Sequence, residues 1–132
     1  GSVARLSNVY DRADGAPGFL SEWLIQARAG RELTLQSSPH VARDYIHLDD
    51  VVSGLIAIAE SRGPIFNVAS GELVTNGAIA EVFEQAGWRV TFTGDASPPA
   101  PPNAKVTRLA NLGVTARPVR DVVAAYLKGL KA

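Results

Sequence analysis

The sequence predicts an α/β fold in a single domain, from its length and from two patterns that alternate along it. The chain has 132 residues, 46% of them hydrophobic, which is enough to bury one core. Short β-branched runs bounded by Gly and Pro alternate with segments whose apolar residues recur at helical spacing. Such alternation is typical of strands connected by helices, and it leaves no length for a second core.

The first half of the chain predicts a strand, a helix and two more strands. The strand covers residues 3–10 and runs into a loop of Gly, Asp and Pro at 11–18. An apolar helical stripe then begins at Phe19 and stops at Gly30. Two short strands follow, at residues 33–35 and 41–48. We expect the strand at 3–10 to pair in parallel with a later one and to leave its outer edge exposed.

The second half predicts three helices and two strands. Asp49 or Asp50 is expected to cap a helix that ends before Gly63-Pro64. Its predicted buried stripe consists of Val51, Val52, Leu55, Ile56 and Ala59. The remaining elements are a buried strand at 65–69, a helix from a Thr75 cap to Gly87, a strand at 90–93 and a final helix at 122–130. The strands at 41–48 and 65–69 suggest a parallel strand–helix–strand crossover, with 65–69 pairing with 3–10.

Composition argues against several classes of protein. Thirteen Lys and Arg balance 13 Asp and Glu, so a nucleic acid or an anionic membrane is not an expected partner. The chain has no Cys, and its two His, His40 and His47, lie too far apart in the sequence to suggest a metal site. No apolar stretch is long enough to span a bilayer, and we expect a cytoplasmic protein.

The ends of the sequence suggest a segment of a longer protein. No Met occurs anywhere, and the chain opens with Gly1-Ser2, a pair often left when an expression tag is removed. We therefore expect residues 1–2 to be a tag remnant and residues 3–132 to be one domain.

Two common catalytic or cofactor motifs are absent from the sequence. No G-x-G-x-x-G occurs between a strand and a helix, so the chain has no loop to hold a dinucleotide pyrophosphate. No G-x-S-x-G occurs either, and Ala69-Ser70-Gly71 supplies only half of that pattern. A hydrolase and an independent NAD-binding domain are both disfavoured.

The segment from Arg43 to Val52 is the most distinctive one in the chain. In its sequence RDYIHLDDVV, a polar extended stretch enters a helix. Spacing alone allows a surface strand in which Arg43 pairs with Asp44 or Asp49. The string also resembles R-D-[FY]-[IV]-[HY]-V-D-D-V-[AV] of the extended short-chain dehydrogenase/reductases, the NAD-dependent epimerase/dehydratase family.

Three further segments carry the same resemblance in the same order. RLSNVY at residues 5–10 is similar to the family's R-x-x-N-V-Y-G-P, and FNVASGE at 66–72 to its Y-N-[IV]-G-[ST]-G-E. Residues 103–130, with Leu112-Gly113-Val114 and Pro118, resemble A-D-x-S-K-A-x-x-x-L-G-[WF]-x-P followed by a helix.

The resemblance implies which part of such an enzyme this chain is. It corresponds to the C-terminal part, with the last parallel strands of a Rossmann sheet and a small α+β substrate-binding lobe. The glycine-rich NAD loop and the catalytic Tyr-x-x-x-Lys pair of the N-terminal half are absent, since no Tyr here is followed four residues later by Lys. The chain alone is then catalytically silent and binds no cofactor, while the full-length parent uses NAD or NADP as an epimerase, dehydratase or reductase.

The resemblance also implies a binding site for a nucleoside diphosphate-sugar. Arg43 would hold the diphosphate, because an arginine fork matches phosphate oxygens with paired, charge-assisted hydrogen bonds. Asn8 would lie at the substrate end of its strand, or would be a turn residue that completes backbone bonds. The strand that ends with Leu35 and Gln36 would run along the nucleotide base.

Several departures from the family pattern leave a second interpretation open. The Gly-Pro expected after residues 8–10 is Asp11-Arg12, the segment before Arg43 lacks its Y-G-[DN]-G, and residues 94–103 contain no arginine. A noncatalytic regulatory or scaffold protein with the same fold is the alternative. Self-association through the exposed edge of strand 3–10 is expected in either case.

Overall fold

The computed structural model describes residues 2–11, 18–63 and 65–131, and it confirms the α/β class. Gly1, Pro64 and most of the loop predicted at 11–18 lie outside the described residues. In chain order the elements are β1 Val3–Leu6, β2 Asn8–Tyr10, α1 Phe19–Ala29, β3 Glu32–Leu35, β4 Ala42–His47, α2 Leu48–Ala59, β5 Ile65–Val68, β6 Leu73–Thr75, α3 Asn76–Gln85, β7 Arg89–Phe92, α4 Thr107–Asn111 and α5 Val119–Lys131.

The strands form three small sheets that are mostly parallel. β1 pairs in parallel with β5, and β3 pairs in parallel with β7. β2 pairs in parallel with β4, whose other neighbour is the antiparallel β6. Among the described residues β1 has one partner strand, so its other edge is free; self-association there stays a prediction.

The single strand predicted at residues 3–10 is two strands, β1 and β2, and each of them pairs with a different strand. The pairing of this segment with 65–69 is confirmed for β1 only, while β2 turns to β4. The change occurs at Ser7, whose backbone N–H donates to the carbonyl of Val68 (3.2 Å). β4 and β5 each pair in parallel with a different half of residues 3–10 and are connected by α2, so the predicted parallel crossover is present with residues 3–10 between its two strands.

Two hydrophobic clusters hold the sheets and helices together. The larger lies between α1, α3, α5 and the strands, and its fully buried side chains include Tyr10, Trp23, Phe83 and Leu127. The smaller lies between α2, α4 and β5, and its buried residues are Ile46, Val51, Ile58, Phe66, Val68 and Leu109. β5 alternates between buried and accessible side chains, so the burial predicted for this strand is correct at Phe66 and Val68 and wrong at Ile65, which is 36% exposed.

The predicted apolar stripe of α2 is correct at Val51 and wrong at its other members. Val52, Leu55 and Ile56 are 48%, 42% and 58% exposed, whereas the buried residues of α2 are Asp50, Val51, Gly54 and Ile58. Gly54 faces inward because the side chains of β5 and α4 pack against it: a Cβ there would lie 3.3 Å from Val68 Cγ1. An apolar periodicity cannot reveal that an aspartate and a glycine take the buried face.

The caps of the helices are also only partly as predicted. α2 is capped by His47, whose Nδ1 accepts a hydrogen bond from the backbone N–H of Asp49 (3.0 Å), so neither Asp49 nor Asp50 is the cap. Thr75 caps α3 as predicted, with Oγ1 accepting from the N–H of Ala78 (3.1 Å). β6 and α4 were not predicted; both are too short for a periodic pattern.

Asp44 connects the β1–β5 sheet to the β2–β4–β6 sheet. Its carboxylate accepts hydrogen bonds from the hydroxyl of Ser7 (3.0 Å) and from the backbone N–H and hydroxyl of Ser70 (both 2.9 Å). It also accepts from the N–H of Gly71 (2.8 Å), and the residue is only 7% exposed. Since Asp44 lies on β4, Ser7 between β1 and β2, and Ser70 after β5, this one carboxylate ties the β1–β5 pair to the β2–β4 pair.

We expect Asp44→Asn to lower the free energy of unfolding by roughly 2 kcal/mol, because the amide keeps one acceptor oxygen and turns a donor toward a buried N–H. Urea unfolding followed by circular dichroism measures this. Asp95→Asn, at an exposed carboxylate of the loop after β7, is the matched control and should change stability by less than about 0.5 kcal/mol. Equal stability of the two variants would contradict the role assigned to Asp44.

Candidate functional site

Arg43 occupies a half-buried position on β4, where its guanidinium is held by two neighbours. The guanidinium carbon lies 4.5 Å from the centroid of the Phe19 ring, a cation–π contact. One terminal nitrogen, Nη1, lies 3.5 Å from Oδ1 of Asn76. The surface ion pair of Arg43 with Asp44 or Asp49, which the spacing alone allowed, is not formed in the structure. Asp44 binds Ser7, Ser70 and Gly71, and Asp49 lies near His47 and Arg117.

Asn76 ties Arg43 to the segment that follows β3. Its side chain is fully buried, and Nδ2 donates to the carbonyl of Ser38 (2.9 Å) and to the hydroxyl of Ser37 (3.3 Å). The same amide accepts from Arg43 through Oδ1. The described structure therefore brings Arg43 together with residues 36–38, two parts of the predicted site that are separate in sequence.

The two other candidates on this side differ in accessibility. Leu35 is 3% exposed and packs in the larger core, and its carbonyl accepts a hydrogen bond from the backbone N–H of Thr93 (3.0 Å). Gln36 follows it directly and is exposed. Leu35 is in register with Phe92 of β7, whose ring lies 5.9 Å from that of Trp23, so an aromatic layer supports the strand.

Asn8 lies on the same face of the sheet as Arg43, but its side chain is already engaged. Asn8 is in register with Tyr45, two residues beyond Arg43 on β4, and residues at this spacing share a face. Its Nδ2 donates to the backbone carbonyl of Asp44 (3.1 Å). This bond completes the backbone of β4, and the side-chain oxygen remains the group that Asn8 can offer to a ligand.

Two buried tyrosines beside the site keep their protons. Burial raises the pKa of the Tyr45 hydroxyl, and the nearby positive charge of Arg43 offsets part of that effect. Burial also raises the pKa of Tyr10, with the carboxylate of Asp50 adding to the shift and Arg117 opposing it. Both hydroxyls stay protonated at physiological pH, so neither is a base in this arrangement.

An ion pair between the buried carboxylate of Asp50 and the partly exposed side chain of Arg117 joins the start of α2 to the segment before α5. The Arg117 guanidinium donates from Nε and Nη2 to the two oxygens of Asp50 (both 3.1 Å), and the Arg117 backbone N–H adds a third bond (3.0 Å). Asp50 is 6% exposed, so this fork stabilises the packing of the C-terminal segment. The aspartates that follow Arg43 in sequence thus have a structural partner elsewhere.

Metal ligation and membrane insertion find no support in the residues described. Across residues 2–11, 18–63 and 65–131, no three His, Cys, Asp or Glu side chains come together as a set of metal ligands. None of the helices in those ranges combines the length and the apolar character needed to cross a membrane.

Sequence reasoning missed Phe19 and Asn76. Phe19 has the signal of a core residue, since it begins the apolar stripe of α1, and nothing in the pattern places its ring under a guanidinium. Asn76 follows a capping threonine, where a polar residue is ordinarily solvated. The contact between α3 and the segment after β3 joins residues far apart in sequence, so no local sequence pattern predicts it.

The chain belongs to the NAD dependent epimerase/dehydratase family, whose family model matches residues 1–69, just over half of its length. The fold described above, in which parallel strands alternate with helices, is of the α/β class. The segment matched by the family model includes Asn8, Arg43 and β5. No curated protein sequence matches the chain.

Solved structures of similar fold are enzymes about twice as long. UDP-glucose 4-epimerase from Thermotoga maritima with UDP-glucose is 16% identical, with a TM-score of 0.74 over 98% of this chain and 45% of that one. MoeE5 in complex with UDP-glucuronic acid and NAD is 23% identical, with a TM-score of 0.73 over 97% and 46%. ADP-L-glycero-D-manno-heptose-6-epimerase from Helicobacter pylori is 17% identical, with a TM-score of 0.75 over 98% and 44%. The chain thus spans less than half the length of these structures, and at these identities the likeness shows the fold.

We expect Asn76→Ala to destabilise the chain by roughly 2 kcal/mol, because it leaves the carbonyl of Ser38 without its buried donor. It should also free the Arg43 side chain, which NMR detects as narrower guanidinium signals. Asn103→Ala, at an exposed loop residue, is the control for removal of an amide. If Asn76→Ala leaves both stability and the Arg43 signals unchanged, Asn76 does not position Arg43.

Proposed function

We propose that this chain is the C-terminal, substrate-binding part of an NAD(P)-dependent epimerase, dehydratase or reductase, and that it binds a nucleoside diphosphate-sugar. The observation that carries the proposal is the arrangement of Arg43. Its guanidinium rests on the Phe19 ring and touches the Asn76 amide, and no carboxylate of the described residues neutralises it. An arginine that is held in place and not neutralised is suited to bind a diphosphate.

The surroundings of Arg43 supply the other parts of such a site. Asn76 links Arg43 to residues 36–38, so a nucleotide whose diphosphate lies at Arg43 can extend its base along the end of β3. Gln36, exposed at that end, offers an amide to the base, and Leu35 precedes it on the strand that would run along the base. Asn8, on the same face of the sheet as Arg43, is the candidate for the sugar side.

The cofactor belongs to the remaining part of the proposed parent. MoeE5, a protein of this fold solved in complex with UDP-glucuronic acid and NAD, is more than twice as long as the part that this chain matches. The present sequence contains neither a glycine-rich pyrophosphate loop nor a Tyr-x-x-x-Lys pair. The proposed division is therefore that NAD or NADP binds to the rest of the parent, while this chain selects the substrate.

A noncatalytic regulatory or scaffold role remains the second candidate, favoured by one observation. Residues 94–103 are exposed, have no regular secondary structure and contain no Lys or Arg, so this segment provides no second cation for the diphosphate. The loss of one of two arginine forks costs roughly 1.5 to 3 kcal/mol of binding. A site weakened in this way can persist in a protein that binds without reacting.

Titration of the ¹⁵N-labelled chain with UDP-glucose tests the binding proposal. Amide shifts should cluster around Arg43, Gln36 and Asn76. Arg43→Lys should weaken binding about tenfold, because the ammonium keeps the charge and loses the planar fork, and Arg43→Ala should abolish saturable shifts.

Arg62→Ala is the matched control, since it removes one exposed positive charge at the end of α2. It should leave the affinity unchanged. Shifts that cluster elsewhere, or that persist in Arg43→Ala, would show that Arg43 is not the diphosphate ligand.

The absence of the cofactor loop predicts that the chain alone binds no NAD and converts no nucleotide-sugar. Calorimetry should detect no saturable heat with NAD or NADP at micromolar concentrations, and incubation with UDP-glucose and NAD should leave the sugar unchanged by NMR. Micromolar NAD affinity would require a pyrophosphate site that the sequence motifs do not reveal, and it would refute the proposed division of labour.

A further inference from the structure

A second cationic site lies on the β1–β5 sheet, away from Arg43. A cleft of about 360 Å³ opens there between the two strands and the start of α4. The residues that line it are Arg5, Ile65, Asn67, Lys105, Thr107 and Arg108. None of these residues belongs to the Arg43 site, which is built on β4, α1 and α3.

The charge of this cleft is one-sided in a chain that is neutral overall. Arg5, Lys105 and Arg108 are cations, and none of the described residues that line the cleft is acidic. The whole sequence carries 13 basic and 13 acidic residues, so a cluster of three cations without a carboxylate departs from the average composition. Like charges gathered at one cleft repel one another, and a bound anion would relieve that repulsion.

Two hydrogen bonds hold the walls of the cleft in place. The Arg108 guanidinium donates from Nη1 to the carbonyl of Ile65 (3.0 Å), which fixes its plane and leaves its other N–H groups toward solvent. Asn67 Nδ2 donates to the carbonyl of Lys105 (2.9 Å), which ties the segment before α4 to β5. Arg5 is in register with Asn67 across the strand pair, so these two residues share a face, and Arg5, Lys105 and Arg108 all line the cleft.

We propose that this cleft is a binding site for a phosphorylated small molecule, distinct from the Arg43 site. Two guanidinium groups supply planar donors and Lys105 supplies a compact charge, the combination that binds phosphate oxygens. The hydroxyl of Thr107 and the free amide oxygen of Asn67 are available for the rest of the ligand. A volume near 360 Å³ falls within the roughly 300 to 1,000 Å³ of small-molecule pockets, and it is larger than one inorganic phosphate needs.

NMR titration of the 132-residue chain with inorganic pyrophosphate at low ionic strength tests the proposal. Amide shifts should cluster at residues 5, 65–67 and 105–108. Arg5→Gln and Lys105→Gln should each weaken binding about fivefold, because each removes one charge-assisted contact at an exposed site. Both side chains are exposed, so the variants should keep the fold.

Two matched variants separate this site from general charge attraction. Arg89→Gln removes an exposed strand arginine and Lys128→Gln an exposed helical lysine, so each makes the same change in net charge. Neither should alter pyrophosphate affinity, and Arg43→Ala should leave the shifts at the cleft intact. Equal weakening by the cleft variants and these controls would overturn the proposal, as would pyrophosphate shifts confined to the surroundings of Arg43 with none at the cleft.

A comparison of ligands decides the chemical class. Pyrophosphate should bind more tightly than inorganic phosphate, since two phosphate groups can engage all three cations. A single-stranded oligonucleotide that binds saturably at the cleft, where pyrophosphate produces no shifts, would overturn the assignment to a small molecule in favour of a nucleic acid.

Discussion

The carboxylate of Asp44 is the interaction on which the rest of the structure depends. It accepts hydrogen bonds from Ser7, Ser70 and Gly71, which come from two segments far apart in sequence. A buried carboxylate is costly unless its oxygens are satisfied, and here each oxygen has at least one donor. Gly71 has a positive φ of 80°, and a Cβ there would lie 3.0 Å from Val106 Cγ2, so this position must be small. Two motifs of the sequence, RDYIH and ASGE, are thus joined by the hydrogen bonds of Asp44 to Ser70 and Gly71.

The satisfaction of Asp44 has a consequence for Arg43. Adjacent Arg and Asp residues in a strand suggest a local ion pair, but successive side chains of a strand point to opposite faces. Asp44 turns toward Ser70, while Arg43 turns toward Phe19 and Asn76. Asp50, the other buried carboxylate of the segment, is neutralised by Arg117. Asp44 and Asp50 therefore stabilise the fold through other partners, and the Arg43 guanidinium stays available to an anion.

The surface of α2 and the edge of β1 form a second distinctive region. Val52, Leu55 and Ile56 are exposed on one side of α2, and Leu6 of β1 is 51% exposed. Parallel strands are ordinarily covered on both faces and paired at their edges, so this part of the chain is where a further protein layer would pack. The solved structures of similar fold are more than twice as long as the part that this chain matches.

Local patterns in the sequence determined the α/β class, most helices and strands, and the family. Thr75 and the stripe of α3 were predictable because a cap and a 3.6-residue period act within one element. Only the tertiary structure decided that residues 3–10 divide between two partner strands, that α2 buries Asp50 and Gly54, and that Asn76 joins Arg43 to Ser38. These outcomes depend on hydrogen bonds and packing between residues 26 to 67 positions apart, which neither composition nor periodicity records.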